Sequence, residues 1–300
     1  CATNEDHIQA AEWLAGELER LTGYRPGSSC DGTPSIRFER PTSPLEHAEG
    51  YALQVREDGI ALSASGTRAS FYAATATADL IGFDNTAEAA DINDWPTVDR
   101  RVLFHEVTPH NGPMVDPEQV TTFIERVVAR ARFNTLVLEF KGGLQYKSHP
   151  ELSRKDAWTA EQLREVLATA NRYGIEVIPA LNTPAHSRWI GQAHPNLVED
   201  ETASLLCMQN PDARRLISDL YGELFELFNQ PSFIHIGHDE IGFRTHRKHE
   251  TQRCVRCQGT PRWQLLTDDL IWHHGALHDL GAKPMLWSDM LVQGWHGKQG

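Results

Sequence analysis

Five short apolar segments, each separated from the next by a stretch with helical periodicity, dominate the chain from residue 100 onward. The segments span residues 100–107, 133–140, 175–182, 233–240 and 283–290, and the helical stretches span residues 117–132, 159–173, 212–228 and 264–280. Strands that alternate with helices in this way pair in parallel. The pattern predicts a TIM-type (β/α) barrel over residues 96–300. An open doubly wound sheet is the alternative, and no glycine-rich turn follows the first segment to favour it.

Five strands are fewer than the eight of a complete (β/α) barrel, so we expect the barrel to be truncated after about five strands. Residues 1–95 have a different pattern. Helical periodicity covers residues 7–21 and 70–81, and apolar residues alternate with polar ones over residues 35–39, 51–55 and 59–63. This part of the chain predicts a small accessory α/β domain of antiparallel strands and helices, which precedes the barrel.

Charge and hydropathy exclude several partners. The chain has 28 Lys and Arg against 41 Asp and Glu, a net charge of −13 that repels nucleic acids and anionic lipids. No apolar run approaches the ~20 residues that a membrane span needs, so we expect no membrane span and a soluble chain. The five scattered cysteines describe no disulfide framework and leave the compartment open. Cys1 is either the lipid-bearing residue of an extracytoplasmic bacterial lipoprotein or simply the first residue of a fragment. No flexible tether follows Cys1, and this favours the fragment.

Polar residues follow the predicted strands, at the end where (β/α) barrels keep their active sites. The segment 233–240 places Asp239 and Glu240 side by side at such an end. Neighbours on a regular strand point to opposite faces, so both carboxylates enter one pocket only if the backbone turns there. In a shared pocket one of them is kept protonated near neutral pH and serves as a general acid. The alternative is an acidic pair that caps the next helix or faces solvent.

Several segments carry a family resemblance. Residues 233–240, FIHIGHDE, resemble the His-x-Gly-Gly-Asp-Glu signature of glycoside hydrolase family 20, the β-N-acetylhexosaminidases. Residues 174–187 resemble the third-strand segment of that family, residues 101–106 stand where it has its Arg-Gly-x-x-x-Asp strand, and residues 283–289 resemble its fifth strand. The first 95 residues resemble its accessory domain. Glu139, Tyr146 and residues 149–152 are similar to the divergent hexosaminidase D-like branch.

The resemblance implies a retaining exo-β-N-acetylhexosaminidase that removes terminal GlcNAc or GalNAc from amino-sugar glycans by substrate-assisted hydrolysis. Glu240 would be the general acid and base, and Asp239 would bind the N–H of the 2-acetamido group. His186 and Trp287 match residues of the sugar pocket, although His186 could instead satisfy loop carbonyls and Trp287 could fill the core. Further candidate substrate-binding residues at the strand ends are Glu106, Glu139 and Asp289. The alternatives are a related exo-glycosidase of altered sugar specificity or a non-catalytic carbohydrate-binding relative.

This sequence departs from the family pattern at positions that contact the sugar. Pro109 stands in place of an arginine after the first strand, and Ala180 and Asn182 replace the Glu and Asp of the third strand. Glu139 stands where an acidic pair is usual and is a candidate for part of that work. Its alternative role is a buried salt bridge with Lys141 or an arginine.

No cofactor is required by the family chemistry. The segment 244–257 nevertheless supplies His246, His249, Cys254 and Cys257 at a spacing that suits a tetrahedral zinc. A single C-x-x-C is half of a strong zinc signature, so a disulfide or two free thiols is favoured over structural zinc at these residues.

Overall fold

A computed structural model describes residues 1–2, 4–27, 30, 35–41, 45–81, 85–109, 112–199, 203–241 and 254–292. The chain divides into two compact units. The first contains Cys1–Val102, Thr121–Thr135 and Ala168–Glu176, and the second contains Leu103–Val120, Leu136–Leu167 and Val177–Gly300. The predicted domain division between residues 95 and 96 stays a prediction.

The first unit contains a four-stranded sheet in the order β1-β3-β2-β4, counted over the described residues. Its strands are β1 (Ile36–Glu39), β2 (Tyr51–Arg56), β3 (Gly59–Ala64) and β4 (Ala90–Asp94). β2 pairs antiparallel with both β3 and β4, as the alternating sequence predicts. The antiparallel prediction is wrong for β1. Since β3 and β4 occupy both edges of β2, β1 lies beside β3, and it pairs with β3 in parallel.

Two helices pack with this sheet around one apolar core, α1 (Glu5–Thr22) and α2 (Thr67–Leu80). The α1 helix begins where the Asn4 side chain accepts a hydrogen bond from the Asp6 N–H, and it ends at Gly23 in the left-handed conformation. The α2 helix is rich in alanine and lies almost wholly buried from Ala69 to Ala78. A disulfide joins Cys1 to Cys30.

The candidate site lies on a five-stranded sheet with the sequential order β5-β6-β7-β8-β9, again counted over the described residues. Its strands are β5 (Val102–Glu106), β6 (Thr135–Glu139), β7 (Glu176–Thr183), β8 (Phe233–Gly237) and β9 (Lys283–Met285). β8 pairs in parallel with both β7 and β9. Every residue of β6 is buried, and so are all but the first residues of β7 and β8. Such continuously apolar strands are typical of a parallel sheet covered on both faces.

The intervening helices are α3 (Pro117–Phe123), α4 (Ala160–Arg172), α5 (Arg188–Ala193), α6 (Pro211–Leu227) and α7 (Arg262–Leu280). A π-helical turn, Ile124–Val128, continues α3, and short 3₁₀ turns cover Lys141–Gly143, Pro150–Leu152 and Pro195–Leu197. Strands and helices therefore alternate as predicted. No helix in these described stretches is long and apolar enough to cross a membrane.

Candidate active site

The chain turns sharply where β8 ends, and this turn brings two adjacent carboxylates together. Gly237, His238 and Glu240 have φ values of 73°, 63° and 47°, all in the left-handed region. Because the backbone leaves the extended conformation here, Asp239 and Glu240 are freed from the alternation of a strand. Both then reach one imidazole. His186 Nε2 lies 3.3 Å from Asp239 Oδ2 and 3.5 Å from Glu240 Oε2.

The turn depends on a glycine at position 237. A β-carbon there would lie 1.9 Å from Oδ1 of Asn182, and the φ of 73° is itself unfavourable for other residues. Gly237 is opposite Thr183 in the register of β7 and β8. The close approach of the two strands at this point therefore requires a residue without a side chain.

His186 follows the end of β7 and faces the candidate catalytic pair, by which we mean Asp239 and Glu240. The side chains of His186 and Asp239 are each 21% exposed, and that of Glu240 is 34% exposed, so all three have access to solvent from a partly enclosed position. Burial raises the pKa of Asp239, but the hydrogen bond and charge of His186 outweigh it, and the pKa of Asp239 lies below its ordinary value. Asp239 is consequently held as a carboxylate.

Two residues after β9 contact the same turn. Asp289 Oδ2 accepts a hydrogen bond of 3.1 Å from the Glu240 N–H, and the Trp287 N–H donates to the Gly237 carbonyl at 3.0 Å. The Trp287 ring lies 4.9 Å from the ring of His235 and 5.3 Å from that of Phe104. It is still 40% exposed, which is unlike a residue that only fills the core. Trp287 thus presents an aromatic surface beside the candidate catalytic pair, and Asp289 positions the backbone of Glu240.

Glu139 and Glu106 share one cation. Lys141 Nζ lies 3.6 Å from Glu139 Oε2 and is also hydrogen-bonded to Glu106 Oε1. Glu139 is 3% exposed, and burial raises its pKa against the opposing charge of Lys141. Its Oε1 atom is buried and has no hydrogen-bond partner among the described residues. The salt bridge considered from sequence is therefore present.

Tyr146 and residues 149–152, which together with Glu139 resemble the hexosaminidase D-like branch, lie on the segment after Lys141. The Tyr146 hydroxyl donates to the Lys141 carbonyl at 2.7 Å, which links this segment to the residue that pairs Glu139. His149 lies 3.1 Å from Glu151 and 3.2 Å from Asp219. The His149 imidazole is thus paired with the carboxylates of Glu151 and Asp219, and we assign no sugar contact to these three residues.

Sequence reasoning missed a buried polar cluster that begins at the residue before Asp239. Nε2 of His238 and Nε2 of His273 each lie 3.3 Å from Asp269 Oδ2. His273 Nδ1 is 2.9 Å from the Tyr221 hydroxyl, and His273 Nε2 is 3.3 Å from the Thr183 hydroxyl. The sequence signal for this cluster was His238 itself, which occupies the second glycine position of the His-x-Gly-Gly-Asp-Glu signature.

The four residues considered as zinc ligands, a role that the sequence did not favour, fall into two groups. His246 and His249 lie outside the described residues. Cys254 and Cys257 lie beside a third cysteine that sequence spacing did not include, with the Cys207 sulfur 3.1 Å from that of Cys254 and 3.5 Å from that of Cys257. Cys254 and Cys257 are thus free thiols, one of the two favoured alternatives, and they lie together with Cys207 rather than with the histidines considered from sequence.

Two family models match the chain. Residues 134–299 match the glycosyl hydrolase family 20 catalytic domain, and residues 2–95 match domain 2 of the same family. The first match alone covers more than half of the chain. The chain therefore belongs to glycoside hydrolase family 20, which confirms the resemblance seen in its motifs.

Relatives and solved structures agree with this family. A beta-hexosaminidase of Vibrio furnissii is 28% identical over an alignment of length 274 that covers 77% of this chain and 43% of the relative. The beta-hexosaminidase subunit beta of Mus musculus is 25% identical over an alignment of length 241 that covers 72% of this chain and 42% of the relative. The GH20 exo-β-N-acetylglucosaminidase of Vibrio harveyi, solved with N-acetylglucosamine, has a TM-score of 0.79 at 21% identity, over 98% of this chain and 52% of that one. The Flavobacterium johnsoniae chitobiase has a TM-score of 0.80 at 19% identity, over 98% and 49%.

These structures confirm the fold class, an α/β chain with TIM-barrel strands preceded by an accessory α/β domain. The chain spans about half the length of the relatives that it matches.

Proposed function

We propose that the protein is a retaining exo-β-N-acetylhexosaminidase that removes terminal GlcNAc or GalNAc by substrate-assisted hydrolysis. The observation that carries the proposal is the convergence of Asp239 and Glu240 on His186 at the C-terminal end of β8. Adjacent carboxylates with different surroundings can take different roles, one ionised and one as a proton donor. The family membership of the chain supports the same reaction.

Asp239 has the surroundings of a residue that stabilises positive charge. The imidazole of His186 favours its ionised form and lowers its pKa. In the proposed reaction the carboxylate of Asp239 accepts a hydrogen bond from the N–H of the 2-acetamido group. Charge grows on that group as its carbonyl oxygen attacks the anomeric carbon, so the interaction is stronger in the transition state than in the ground state.

Glu240 takes the role of the proton donor. Its carboxyl group protonates the glycosidic oxygen while the bond from that oxygen to the anomeric carbon breaks. The acetamido oxygen forms the new bond to the anomeric carbon, which gives a bicyclic oxazolinium ion. The Glu240 carboxylate then removes a proton from water, and that water attacks the anomeric carbon and reopens the ring. Because both displacements invert the anomeric carbon, the product retains the β configuration.

The surrounding residues support this geometry. Asp289 holds the Glu240 backbone through a 3.1 Å hydrogen bond, which limits the freedom of the acid relative to Asp239. Trp287 is a candidate wall for the acetamido methyl group, since it is an aromatic surface that remains partly exposed. The reaction as proposed uses side chains and the acetamido group of the substrate, with no metal or other cofactor.

A related exo-glycosidase with altered sugar specificity is the second candidate. The observation in its favour is the shared salt bridge of Lys141 with Glu106 and Glu139, which places a cation between two candidate sugar-binding carboxylates. Pro109, Ala180 and Asn182 further remove side chains that the family uses for sugar contacts. A non-catalytic binding relative is disfavoured, because both carboxylates of the candidate catalytic pair are present and face one histidine.

The substrates in this proposal are amino-sugar glycans or glycoconjugates, and an acidic chain of net charge −13 is poorly suited to nucleic acid. An extracytoplasmic location is part of the proposal. The disulfide between Cys1 and Cys30 supports it, since such bonds persist in oxidising compartments.

The test compares release of 4-nitrophenol from the β-GlcNAc, β-GalNAc and β-glucose glycosides by the full-length protein. We expect hydrolysis of at least one acetamido sugar and little hydrolysis of the glucoside, because the 2-hydroxyl cannot replace the acetamido nucleophile. Proton NMR of the first sugar released should show the β anomer. Comparable rates on the glucoside would favour the altered glycosidase, and no release from any substrate would favour the binding relative.

A further inference from the structure

Three cysteines and one buried glutamate converge in the second unit, outside the candidate catalytic pair. The Cys207 sulfur lies 3.1 Å from that of Cys254 and 3.5 Å from that of Cys257. Glu199 Oε1 lies 3.5 Å from the Cys254 sulfur. One donor atom from each of the four residues lies within 4.8 Å of every other.

Backbone contacts alone bring the four donor residues together in two pairs. Cys254 and Cys257 belong to one turn, closed by a hydrogen bond of 3.1 Å from the Cys257 N–H to the Cys254 carbonyl. Glu199 and Cys207 flank the antiparallel bridge between Val198 and Leu206. The Cys254 N–H donates to Glu199 Oε2 at 3.1 Å and joins the two segments. Backbone hydrogen bonds thus hold both segments that supply the four donors.

Burial makes this group costly without a cation. Glu199 is 4% exposed, Cys207 2% and Cys257 0%. In the described part of the chain Glu199 forms no ion pair, and a buried carboxylate without a countercharge is strongly unfavourable. A divalent ion among the four donors would supply that charge.

A disulfide accounts for the arrangement less well. The sulfur separations of 3.1 and 3.5 Å exceed the ~2.05 Å of a disulfide, and three thiols can form only one such bond among themselves. It would leave one thiol and the Glu199 carboxylate buried together. Four donors about 2.3 Å from a tetrahedral zinc lie about 3.8 Å apart, so a zinc ion fits after the Cys207 sulfur moves about 0.7 Å from that of Cys254 and about 0.3 Å from that of Cys257.

We propose that Cys207, Cys254, Cys257 and Glu199 form a structural zinc site. Thiolates select soft or borderline metals, and four protein ligands with no open position are typical of structural zinc rather than catalytic zinc. The site goes beyond the proposed hydrolysis, which uses no metal. It also differs from the set suggested by sequence spacing, because Glu199 and Cys207 replace His246 and His249.

The zinc site links the two segments that carry the candidate catalytic residues. Cys207 and Cys257 share a buried apolar cluster with Ala185, which precedes His186, and with Ile241, which follows Glu240. The Leu206 N–H also donates to the Pro184 carbonyl at 2.9 Å. Zinc would therefore fasten the chain after Glu240 to the chain beside His186.

The first experiment measures metal in the full-length protein, purified without chelators and with a thiol reductant that does not bind zinc. Elemental analysis should find about one zinc per chain, the stoichiometry of a closed structural site. Replacement by Co²⁺ should give the intense d–d bands of tetrahedral cobalt and a thiolate charge-transfer band. Three reduced thiols with no metal after zinc is supplied would overturn the proposal, as would a disulfide among Cys207, Cys254 and Cys257 found by mass spectrometry.

The second experiment assigns the ligands. Cys207→Ser, Cys257→Ser and Glu199→Gln should each lose most of the zinc and lower the thermal midpoint, whereas His246→Ala and His249→Ala should retain the metal. Loss of zinc from the histidine variants with retention in Glu199→Gln would overturn the ligand set. If a cysteine variant fails to fold, the test becomes alkylation of the wild-type protein. All three thiols should be protected until a chelator is added, and equal labelling without chelator contradicts the site.

Zinc content and glycoside hydrolysis are separate measurements. An inactive protein that holds zinc on these four residues would refute the proposed function and keep the zinc site. An active protein without zinc would do the reverse.

Discussion

Nε2 of His238 lies 3.3 Å from Oδ2 of Asp269, and both side chains are almost completely buried. His238 immediately precedes the candidate catalytic pair and adopts a left-handed backbone with a φ of 63°. Burial raises the pKa of Asp269, but the neighbouring imidazoles of His273 and His238, each 3.3 Å from its Oδ2 atom, outweigh it and hold the pKa at about 2. A charged Asp269 thus holds His238 in place, and His238 immediately precedes Asp239 and Glu240 in the chain.

This relationship predicts that Asp269→Asn disturbs the candidate catalytic pair without touching substrate. We expect a loss of about 2 kcal/mol in the free energy of unfolding, the free energy that corresponds to lowering the pKa of Asp269 from 3.8 to about 2. The kcat should fall about 10- to 100-fold with a smaller change in KM, because small displacements of reacting groups are costly. Chemical denaturation and steady-state kinetics measure the two effects. His274→Ala, an exposed change on the same helix, is the control, and an unchanged kcat in Asp269→Asn would contradict the positioning role.

Glu240→Gln should affect substrates according to their leaving groups. A glycoside with a poor leaving group needs protonation and should lose about 10²–10⁴-fold in rate, the range of general acid catalysis. A nitrophenyl glycoside should lose far less at the bond-breaking step, since nitrophenolate departs without a proton. Comparing kcat/KM for the two substrates isolates that step. Equal losses would remove Glu240 from the acid role.

Asp239→Asn should lower kcat more than it raises KM. The carboxylate stabilises charge that develops on the acetamido group, and the uncharged amide cannot do so. A loss of about 10²–10³-fold is expected, comparable with removal of other electrostatic stabilisers of a transition state. Competition with the product sugar should show nearly unchanged ground-state binding. A variant whose kcat is unchanged while its KM rises would assign Asp239 to sugar binding alone.

The sheet of the candidate site could be predicted because each of its strands is defined by local sequence. The buried segment 233–240 ends in polar residues, and β8 does occupy Phe233–Gly237 within it. The family resemblance also implied that His186 shares a pocket with Asp239 and Glu240, and the structure places its Nε2 atom 3.3 and 3.5 Å from their carboxylates. In contrast, the strand β1 carries the same alternation whichever direction its neighbour runs, so its parallel pairing could not be inferred.

The remaining contacts depend on how distant segments pack. Asp269 lies on α7, far along the chain from His238, and nothing local to either residue specifies their distance of 3.3 Å. Cys207 is 47 residues from Cys254, which placed it outside any sequence motif. Such contacts depend on where the helices and loops lie on the sheet. Their positions depend in turn on side-chain packing over the whole unit.

Gly237→Ala should destabilise the fold at the start of the candidate active site. The new methyl group would meet Asn182 Oδ1 at 1.9 Å, and alanine would also have to adopt a φ of 73°. Overpacking and backbone strain each cost about 1–3 kcal/mol, so a combined loss of about 2–6 kcal/mol is expected in chemical denaturation. Gly222→Ala is the matched control, because no atom lies within 4 Å of its added methyl group. A second Asn182→Ala change should restore part of the loss, and no restoration would mean that strain alone is responsible.

The last prediction concerns pH and His235, which is 3% exposed within β8. Its Nδ1 atom accepts a hydrogen bond of 3.1 Å from the Gly237 N–H, and burial lowers the pKa of the imidazole from 6.5 to about 4. Between these values the unfolded chain binds a proton that the folded protein does not. Stability from this group is therefore complete above about pH 6.5 and is lost as the pH falls towards 4, by up to about 3 kcal/mol.

His235→Asn tests this dependence because its Oδ1 atom can accept the same hydrogen bond without titrating. The free energy of unfolding should be measured from pH 7.5 to 4.5 for the wild-type protein and the variant. The wild-type protein should lose stability relative to the variant as the pH falls. Only the wild-type protein has an imidazole at position 235 that is protonated in the unfolded chain and must lose that proton on folding. A difference that stays constant across this range would show that His235 keeps an ordinary pKa in the folded protein.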